Sequence, residues 1–236
     1  MIEKTEFTLE KIPCVLYGAP SRRLFLYVHG KCGCKEEAQV FAEMITSQSC
    51  QVLAMDLPGH GQRKEETERF VPWEVAPELG RIYDAVKGRY DSISLYAGSI
   101  GAYFSLLGFP EGAFKRVLLV APVLDMERLI GRMMEWASVT PERLKSEGEI
   151  PVDFGEPLSW RYYQYAREHS VSHSLGPTAV LYPERDHLTE RETAERFSNR
   201  FGASLTVMPE GEHFLHTEEQ IAALKEWISD EAFRED

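Results

Sequence analysis

Short runs of apolar and β-branched residues alternate along the chain with longer stretches in which apolar residues recur every three or four positions. The short runs are typical of buried strands and the longer stretches of amphipathic helices. They predict strands over residues 14–17, 24–29, 51–56, 92–97, 117–121, 178–182 and 204–207. They predict helices over residues 35–47, 73–89, 101–107, 190–201 and 218–229. This order is typical of βαβ units, so we expect an α/β fold, with a mostly parallel central sheet and helices on both faces.

The alternation is interrupted between Asp125 and Gly176, where helical patterns replace the expected strand. We therefore expect a core domain of residues 1–124 and 177–236, with a helical cap at residues 125–176. The inserted segment is rich in aromatic residues: Trp136, Phe154, Trp160, Tyr162, Tyr163 and Tyr165. Most of them are expected to bury the segment against the core. The alternative is that a subset lines a substrate pocket, namely Trp136, Phe154, Trp160 and Tyr163.

Composition narrows the classes of partner. The formal charge is −12, from 26 basic and 38 acidic residues, which repels nucleic acid and anionic membranes. No apolar run approaches the roughly 20 residues of a spanning helix, and no basic start precedes an apolar run, so we expect a cytoplasmic protein without a membrane span. The charge run at residues 63–69 predicts a solvated loop.

Cysteine usage argues against a metal or disulfide framework. Cys14, Cys32, Cys34 and Cys50 are expected to be reduced thiols, as in most intracellular proteins. A zinc site needs about four ligands, and no second cysteine or histidine pair accompanies Cys32 and Cys34 at suitable spacing. We expect neither a metal nor a cofactor.

The most informative motif lies where the strand at 92–97 turns into a helix. Ser99 stands between Ala97 and Gly101, in a small-x-Ser-x-Gly pattern. Small neighbours are needed there because the serine backbone is strained and its surroundings are crowded. The arrangement displays a nucleophile at the carboxyl end of the sheet.

A serine nucleophile needs an imidazole base and a carboxylate that orients it. Among the seven histidines, His213 follows the last predicted strand, and we prefer it to His216 at the start of the final helix. Asp186 follows the strand before it, and the order serine, acid, histidine is that of one fold family. Asp125 and Glu184 are the alternative acids.

Cleavage also needs hydrogen-bond donors for the developing oxyanion. Gly30 follows the strand at 24–29, so the backbone N–H of Lys31 is a candidate donor beside that of Ile100, the residue after the nucleophile. His29 is interpreted as a structural residue of this loop.

With these motifs the chain resembles the α/β-hydrolase superfamily over nearly its whole length, and among its members the small bacterial lidded esterases and monoacylglycerol-lipase-like enzymes. The resemblance rests on Val28-His29-Gly30, residues 56–61 (Asp-Leu-Pro-Gly-His-Gly), the turn around Ser99 and the loops of Asp186 and His213. It implies that His60 is structural. Two positions depart from the usual pattern, Ala97 in place of glycine and Arg63 in place of serine.

These observations predict a serine hydrolase of the carboxylesterase or lipase type. It would cleave a small carboxylic ester or thioester with an apolar acyl or aromatic group, through an acyl-enzyme. Two alternatives use the same triad, acyl transfer to another acceptor and serine aminopeptidase activity. A third is a ligand-binding protein that has kept the scaffold without the chemistry.

Overall fold

The computed structural model describes residues 2–234 of the chain. Within them the strands are β1 (Lys4–Leu9), β2 (Ile12–Tyr17), β3 (Arg23–Val28), β4 (Gln51–Met55), β5 (Ser92–Gly98), β6 (Val117–Val120), β7 (Glu149–Ile150), β8 (Leu158–Ser159), β9 (Thr178–Arg185) and β10 (Ser204–Glu212). The α-helices are α1 (Ala38–Ile45), α2 (Pro72–Val86), α3 (Ile100–Gly108), α4 (Met126–Trp136), α5 (Pro141–Glu147), α6 (Trp160–Glu168), α7 (Arg191–Phe201) and α8 (Glu218–Glu231).

The central sheet has eight strands in the order β1-β2-β4-β3-β5-β6-β9-β10. β2 pairs antiparallel with β1 and β4, and the remaining neighbours are parallel. The predicted mostly parallel sheet is therefore confirmed. Because parallel strands linked by helices run in one direction, the loops after β3, β5, β6, β9 and β10 leave the sheet at one edge.

Helices cover both faces of the sheet. Alternation along β3 sends Phe25 and Tyr27 to one face and Leu24 and Leu26 to the other. The first face is covered by α1 and α8, and the second by α2, α3 and α7. The apolar residues that the sequence pattern assigns to strands are almost all buried between these layers.

The sequence pattern does not predict the edge strand β1 of the central sheet or the separate two-stranded sheet of β7 and β8. β1 is an edge strand whose residues lie mostly exposed, with Lys4 paired to Glu6 at 2.8 Å, so it carries no buried apolar run. The two-residue strands β7 and β8 pair only with each other inside the inserted segment. Helix ends follow local signals more closely, as at Thr217, whose side chain accepts from the backbone N–H of Gln220 in a capping box.

The inserted segment, residues 125–176, contains α4, α5, α6 and the β7–β8 pair. Its buried residues, such as Leu144 and Ala166, join the apolar cluster on the face of α2, α3 and α7. The segment thus packs on the side of the sheet opposite α1 and α8. Across residues 2–234, no helix is both long enough and apolar enough to cross a bilayer.

Candidate active site

Ser99 lies at the junction of β5 and α3 in a strained conformation. Its backbone has φ 49° and ψ −126°, a region that non-glycine residues rarely adopt. Neighbouring backbone holds it there: the Ser99 N–H donates to the Val120 carbonyl at 3.0 Å, and the Ser99 carbonyl accepts from the Val123 N–H at 3.1 Å. These two bonds tie the strained turn to the end of β6 and to the loop that follows it.

The small residues around Ser99 are required by close backbone approaches. A Cβ atom on Gly101 would lie 2.4 Å from the carbonyl oxygen of His29, closer than any real contact. A Cβ on Gly30 would lie 3.1 Å from the Cβ of Ser99. The loop after β3 is thus in contact with the turn that carries Ser99, as the sequence predicts.

The structure brings Ser99, His213 and Asp186 into one hydrogen-bonded chain. Ser99 Oγ is 2.7 Å from His213 Nε2. His213 Nδ1 is 2.9 Å from Asp186 Oδ2 and 3.0 Å from Oδ1. The side chains of His213 and Asp186 are 0% and 1% exposed, so water does not compete for these bonds.

Asp186 follows the end of β9 and His213 the end of β10, which are adjacent parallel strands. Their loops therefore meet at the edge where β5 delivers Ser99. Asp186 Oδ1 also accepts the backbone N–H groups of Leu188 at 2.8 Å and Thr189 at 3.0 Å. These bonds fix the carboxylate independently of the histidine.

The alternative residues have other partners. The Asp125 carboxylate accepts the Arg128 N–H at 2.9 Å and caps α4. Glu184 accepts the Glu210 N–H at 3.1 Å. The exposed imidazole of His216 bonds the Phe214 carbonyl through Nδ1 at 2.9 Å. None of the three joins the chain that includes Ser99.

The two predicted oxyanion donors belong to residues near Ser99: Lys31 lines the same cavity as Ser99, and Ile100 follows Ser99 directly. Within residues 2–234, the N–H groups of Lys31 and Ile100 take part in no hydrogen bond. Ile100 begins α3, where the first N–H groups have no partner inside the helix. An unoccupied donor pair beside a serine can bind a negatively charged oxygen.

His29 holds the loop that carries Lys31. Its Nδ1 bonds the Gly30 carbonyl at 2.7 Å, and its Nε2 accepts the Leu57 N–H at 3.1 Å. Burial lowers the pKa of His29 to about 4, so the ring is neutral at pH 7 and free to accept. This geometry makes Nδ1 the protonated nitrogen.

The loop after β4 is built around buried charges that the sequence did not reveal. Asp56 is fully buried and accepts from Lys35 Nζ at 2.8 Å and from the Lys35 N–H at 2.9 Å. Arg63 is 6% exposed and pairs with Glu78 at 2.6 Å. The prediction that residues 63–69 form a solvated loop is therefore wrong for Arg63, because carboxylates from its own turn and from α2 surround it.

A cavity of about 540 Å³ opens on Ser99 and His213, and its walls come from α1 and α8. Trp136, Phe154, Trp160 and Tyr163 do not line it. Trp136 and Phe154 are 44% and 39% exposed and contact each other, with ring centres 5.8 Å apart. Trp160 and Tyr163 pack against the apolar core on the opposite face of the sheet. The aromatic pattern of the inserted segment reflects its own packing.

Across residues 2–234, no cluster of three or more histidine, cysteine or acidic side chains is arranged to hold a metal ion. The four cysteines are free thiols, and Cys32 is exposed at the cavity.

Similarity to solved structures extends over nearly the whole chain. Alpha/beta hydrolase domain-containing protein 10 from mouse superposes with a TM-score of 0.74 over 97% of each chain, at 14% identity. Est1E from Butyrivibrio proteoclasticus, with ferulic acid bound, gives 0.73 over 98% of this chain and 100% of its own, at 18% identity. This chain has the α/β-hydrolase fold.

A cold-adapted esterase from an Arctic intertidal metagenomic library shares this α/β-hydrolase fold, with a TM-score of 0.61, 17% identity and coverage of 98% of this chain and 93% of its own. No protein-family model matches the sequence, and no curated protein matches it significantly. At such low identities, these likenesses show the fold alone.

Proposed function

We propose that the protein is a serine hydrolase that cleaves a carboxylic ester through an acyl-enzyme. The observation that carries the proposal is the Ser99–His213–Asp186 chain, with heavy-atom distances of 2.7 Å and 2.9 Å. A serine hydroxyl is a weak nucleophile until a neighbouring imidazole accepts its proton. A buried carboxylate selects the imidazole tautomer and stabilises the imidazolium that forms.

In the first half-reaction, Ser99 Oγ attacks the ester carbonyl carbon while its proton moves to His213 Nε2. The carbonyl oxygen becomes an oxyanion, which the N–H groups of Lys31 and Ile100 bind. Collapse of this intermediate breaks the bond to the alcohol oxygen, and His213 returns the proton to that oxygen. Ser99 is then left as an ester of the acyl group.

In the second half-reaction, His213 takes a proton from water as the water oxygen attacks the acyl-enzyme. The same two N–H groups bind the second oxyanion. Collapse releases the carboxylic acid and returns the proton from His213 to Ser99 Oγ. Each donor of an oxyanion site typically lowers the barrier by about 2 to 4 kcal/mol.

In this proposal the inserted segment is a cap that meets only the rim of the site, since none of its residues lines the cavity. Lys31 Nζ pairs with Glu156 of the segment at 2.7 Å, next to the proposed oxyanion donors. Two structural neighbours support an ester as the substrate, since one is an esterase and the other, Est1E, was solved with ferulic acid bound. We propose a small ester, taken up without a cofactor.

Replacement of Ser99 tests the proposal. Ser99→Ala should abolish hydrolysis of p-nitrophenyl acetate and labelling by a fluorophosphonate probe, with the circular dichroism spectrum unchanged. Ser146→Ala, at an exposed serine of α5, is the matched control and should keep both activities. Hydrolysis by Ser99→Ala at the wild-type rate, or a wild-type protein that the probe does not label, would overturn the proposal.

A further inference from the structure

The cavity at Ser99 continues as a groove between α1 and α8. Ser99, His213 and Gly30 line its upper end, at the carboxyl edge of the sheet. α1 follows β3 and α8 follows β10, so both helices run from this edge towards the opposite one. The cavity therefore extends away from the inserted segment.

Each helix presents a stripe of residues to the groove. The lining positions recur at intervals of three and four, which places them on one side of a helix. They are Glu37, Val40, Phe41 and Met44 from α1 and the residue before it, and Ile221, Leu224, Lys225 and Ile228 from α8. Each stripe covers eight residues, and the seven steps between its ends correspond to about 10 Å at 1.5 Å per residue.

The floor of the groove is aromatic and uncharged. Tyr27 of β3 and Tyr96 of β5 stack with ring centres 4.7 Å apart, and Phe41 lies 4.7 Å from Tyr96. Burial raises the pKa values of both tyrosines, so their phenol groups stay protonated and neutral. Val120 of β6 completes the floor beside Ser99.

Apolar side chains also stand exposed where the groove opens. Val40 and Phe214 are 52% and 59% exposed, and both line the cavity. Large exposed apolar side chains grouped at one opening are typical of a site that binds an apolar ligand. Of the charged residues that line the cavity, Glu37 and Lys225 are exposed, and Lys31 is paired with Glu156 at 2.7 Å.

We propose that this groove holds the acyl chain of the ester, and that this acyl group is an unbranched alkyl chain of about eight carbons. An extended alkyl chain advances roughly 1.2 Å per bond, so about eight carbons fill the groove's length of about 10 Å. This inference rests on the proposed function. The chain begins at Ser99, passes over Tyr27 and Tyr96, and ends between Met44 and Ile228.

The groove suits the acyl group rather than the alcohol because of the order of the two half-reactions. The alcohol leaves before water attacks, whereas the acyl chain stays bound to Ser99 through both steps. Apolar burial then stabilises the acyl-enzyme and both transition states, because each methylene group removed from water favours the bound chain.

Hydrolysis of p-nitrophenyl esters from acetate to dodecanoate tests the inference. The wild-type kcat/KM should rise with acyl length to a maximum near octanoate and then fall. Met44 is half-buried and lines the groove at the end far from Ser99, so Met44→Trp should narrow that end. The maximum should then move to shorter acyl chains. The ratio of kcat/KM for octanoate to that for butanoate should fall roughly tenfold. Leu224→Phe, on the facing helix, should act in the same direction.

Glu43→Trp is the matched control, since Glu43 is the exposed neighbour of Met44 outside the groove. It should leave the chain-length profile unchanged. A second measurement uses inactive Ser99→Ala protein and calorimetry with octanoate, which should bind it more weakly when Met44→Trp is added.

The results separate the two proposals. The acyl-groove proposal is overturned if kcat/KM of the wild type does not change with acyl length. It is also overturned if the Met44→Trp and Leu224→Phe variants fold but keep the wild-type profile. In either case, fluorophosphonate labelling of Ser99 would leave the hydrolase proposal intact. A wild-type protein that the probe does not label overturns the hydrolase proposal, and the acyl groove with it.

Discussion

His60 Nε2 accepts a hydrogen bond from the backbone N–H of Cys32 at 3.0 Å, which ties the loop after β3 to the loop after β4. His60 Nδ1 is in turn held by the Pro58 carbonyl at 2.8 Å. Cys32 has a positive φ of 65°, an uncommon conformation that this bond stabilises, and it directly follows Lys31. His60 is therefore a positioning residue for the proposed oxyanion site.

Loss of the His60 imidazole should impair chemistry more than binding. We expect His60→Ala to lower kcat by about tenfold to a hundredfold, with a smaller change in KM, because the Lys31 N–H loses its fixed position. Steady-state kinetics with p-nitrophenyl butanoate measures both constants. His169→Ala, at an exposed histidine of the inserted segment, should behave as wild type. A rise in KM alone for His60→Ala would contradict the assigned role.

The proposed role of Asp186 as the acid is tested by removing its charge without changing its shape. Asp186→Asn should lower kcat by roughly 10⁴, because the amide favours the wrong tautomer of His213. Asp125→Asn is the control at the other candidate acid, where the side chain caps α4. That variant should retain activity, with the melting temperature changed by a few degrees at most. Equal losses in the two variants would rule out the assignment of Asp186.

The glycine of the serine turn is expected to be intolerant of a methyl group. Gly101→Ala places a Cβ 2.4 Å from the His29 carbonyl, so the turn must shift and activity should fall at least tenfold, with reduced thermal stability. Gly131→Ala, in α4, meets nothing within 4 Å and should stabilise the protein by about 0.5 to 1 kcal/mol. Thermal melts and esterase rates of the two variants provide the comparison. Wild-type activity in Gly101→Ala would show that the close approach is not needed.

Stability should depend on pH through His29. Its pKa falls from an ordinary 6.5 to about 4 on folding, so between these values the unfolded chain binds more protons than the folded one. The contribution of neutral His29 to the free energy of unfolding is complete above pH 6.5. It is lost as the pH falls towards 4, which lowers the free energy of unfolding by up to about 3 kcal/mol. Urea unfolding of the wild type and of His29→Asn, measured from pH 7 to pH 4, isolates the contribution of His29. The wild type should lose more stability over this range, and parallel curves would contradict the expectation.

The order of buried runs along the chain was sufficient to predict the parallel sheet and the approximate bounds of its inner strands. The turn at Ser99 was also predictable from a local pattern. A strand-to-helix turn of this kind is crowded, so it requires small residues at fixed positions around the serine. Asp186 and His213 were predictable as loop residues because the carboxyl ends of parallel strands share one edge. The edge strand β1 was missed because little of its surface is buried.

Long-range contacts decided what the sequence left open. Asp56, Lys35, Arg63 and Glu78 look like ordinary surface charges in the sequence, and only the fold buries and pairs them. Aromatic residues in the inserted segment indicate burial, but composition does not say against which surface.

From its sequence alone, this protein could be assigned its α/β architecture and the three side chains of its candidate site, because those features follow from local patterns and strand order. The groove could not be predicted from the sequence, because its walls belong to two helices separated by most of the chain. The distance between two such helices is a property of the packed core. The tertiary structure thus decided on which face of the sheet the space beside Ser99 opens, and with it the shape of the proposed substrate.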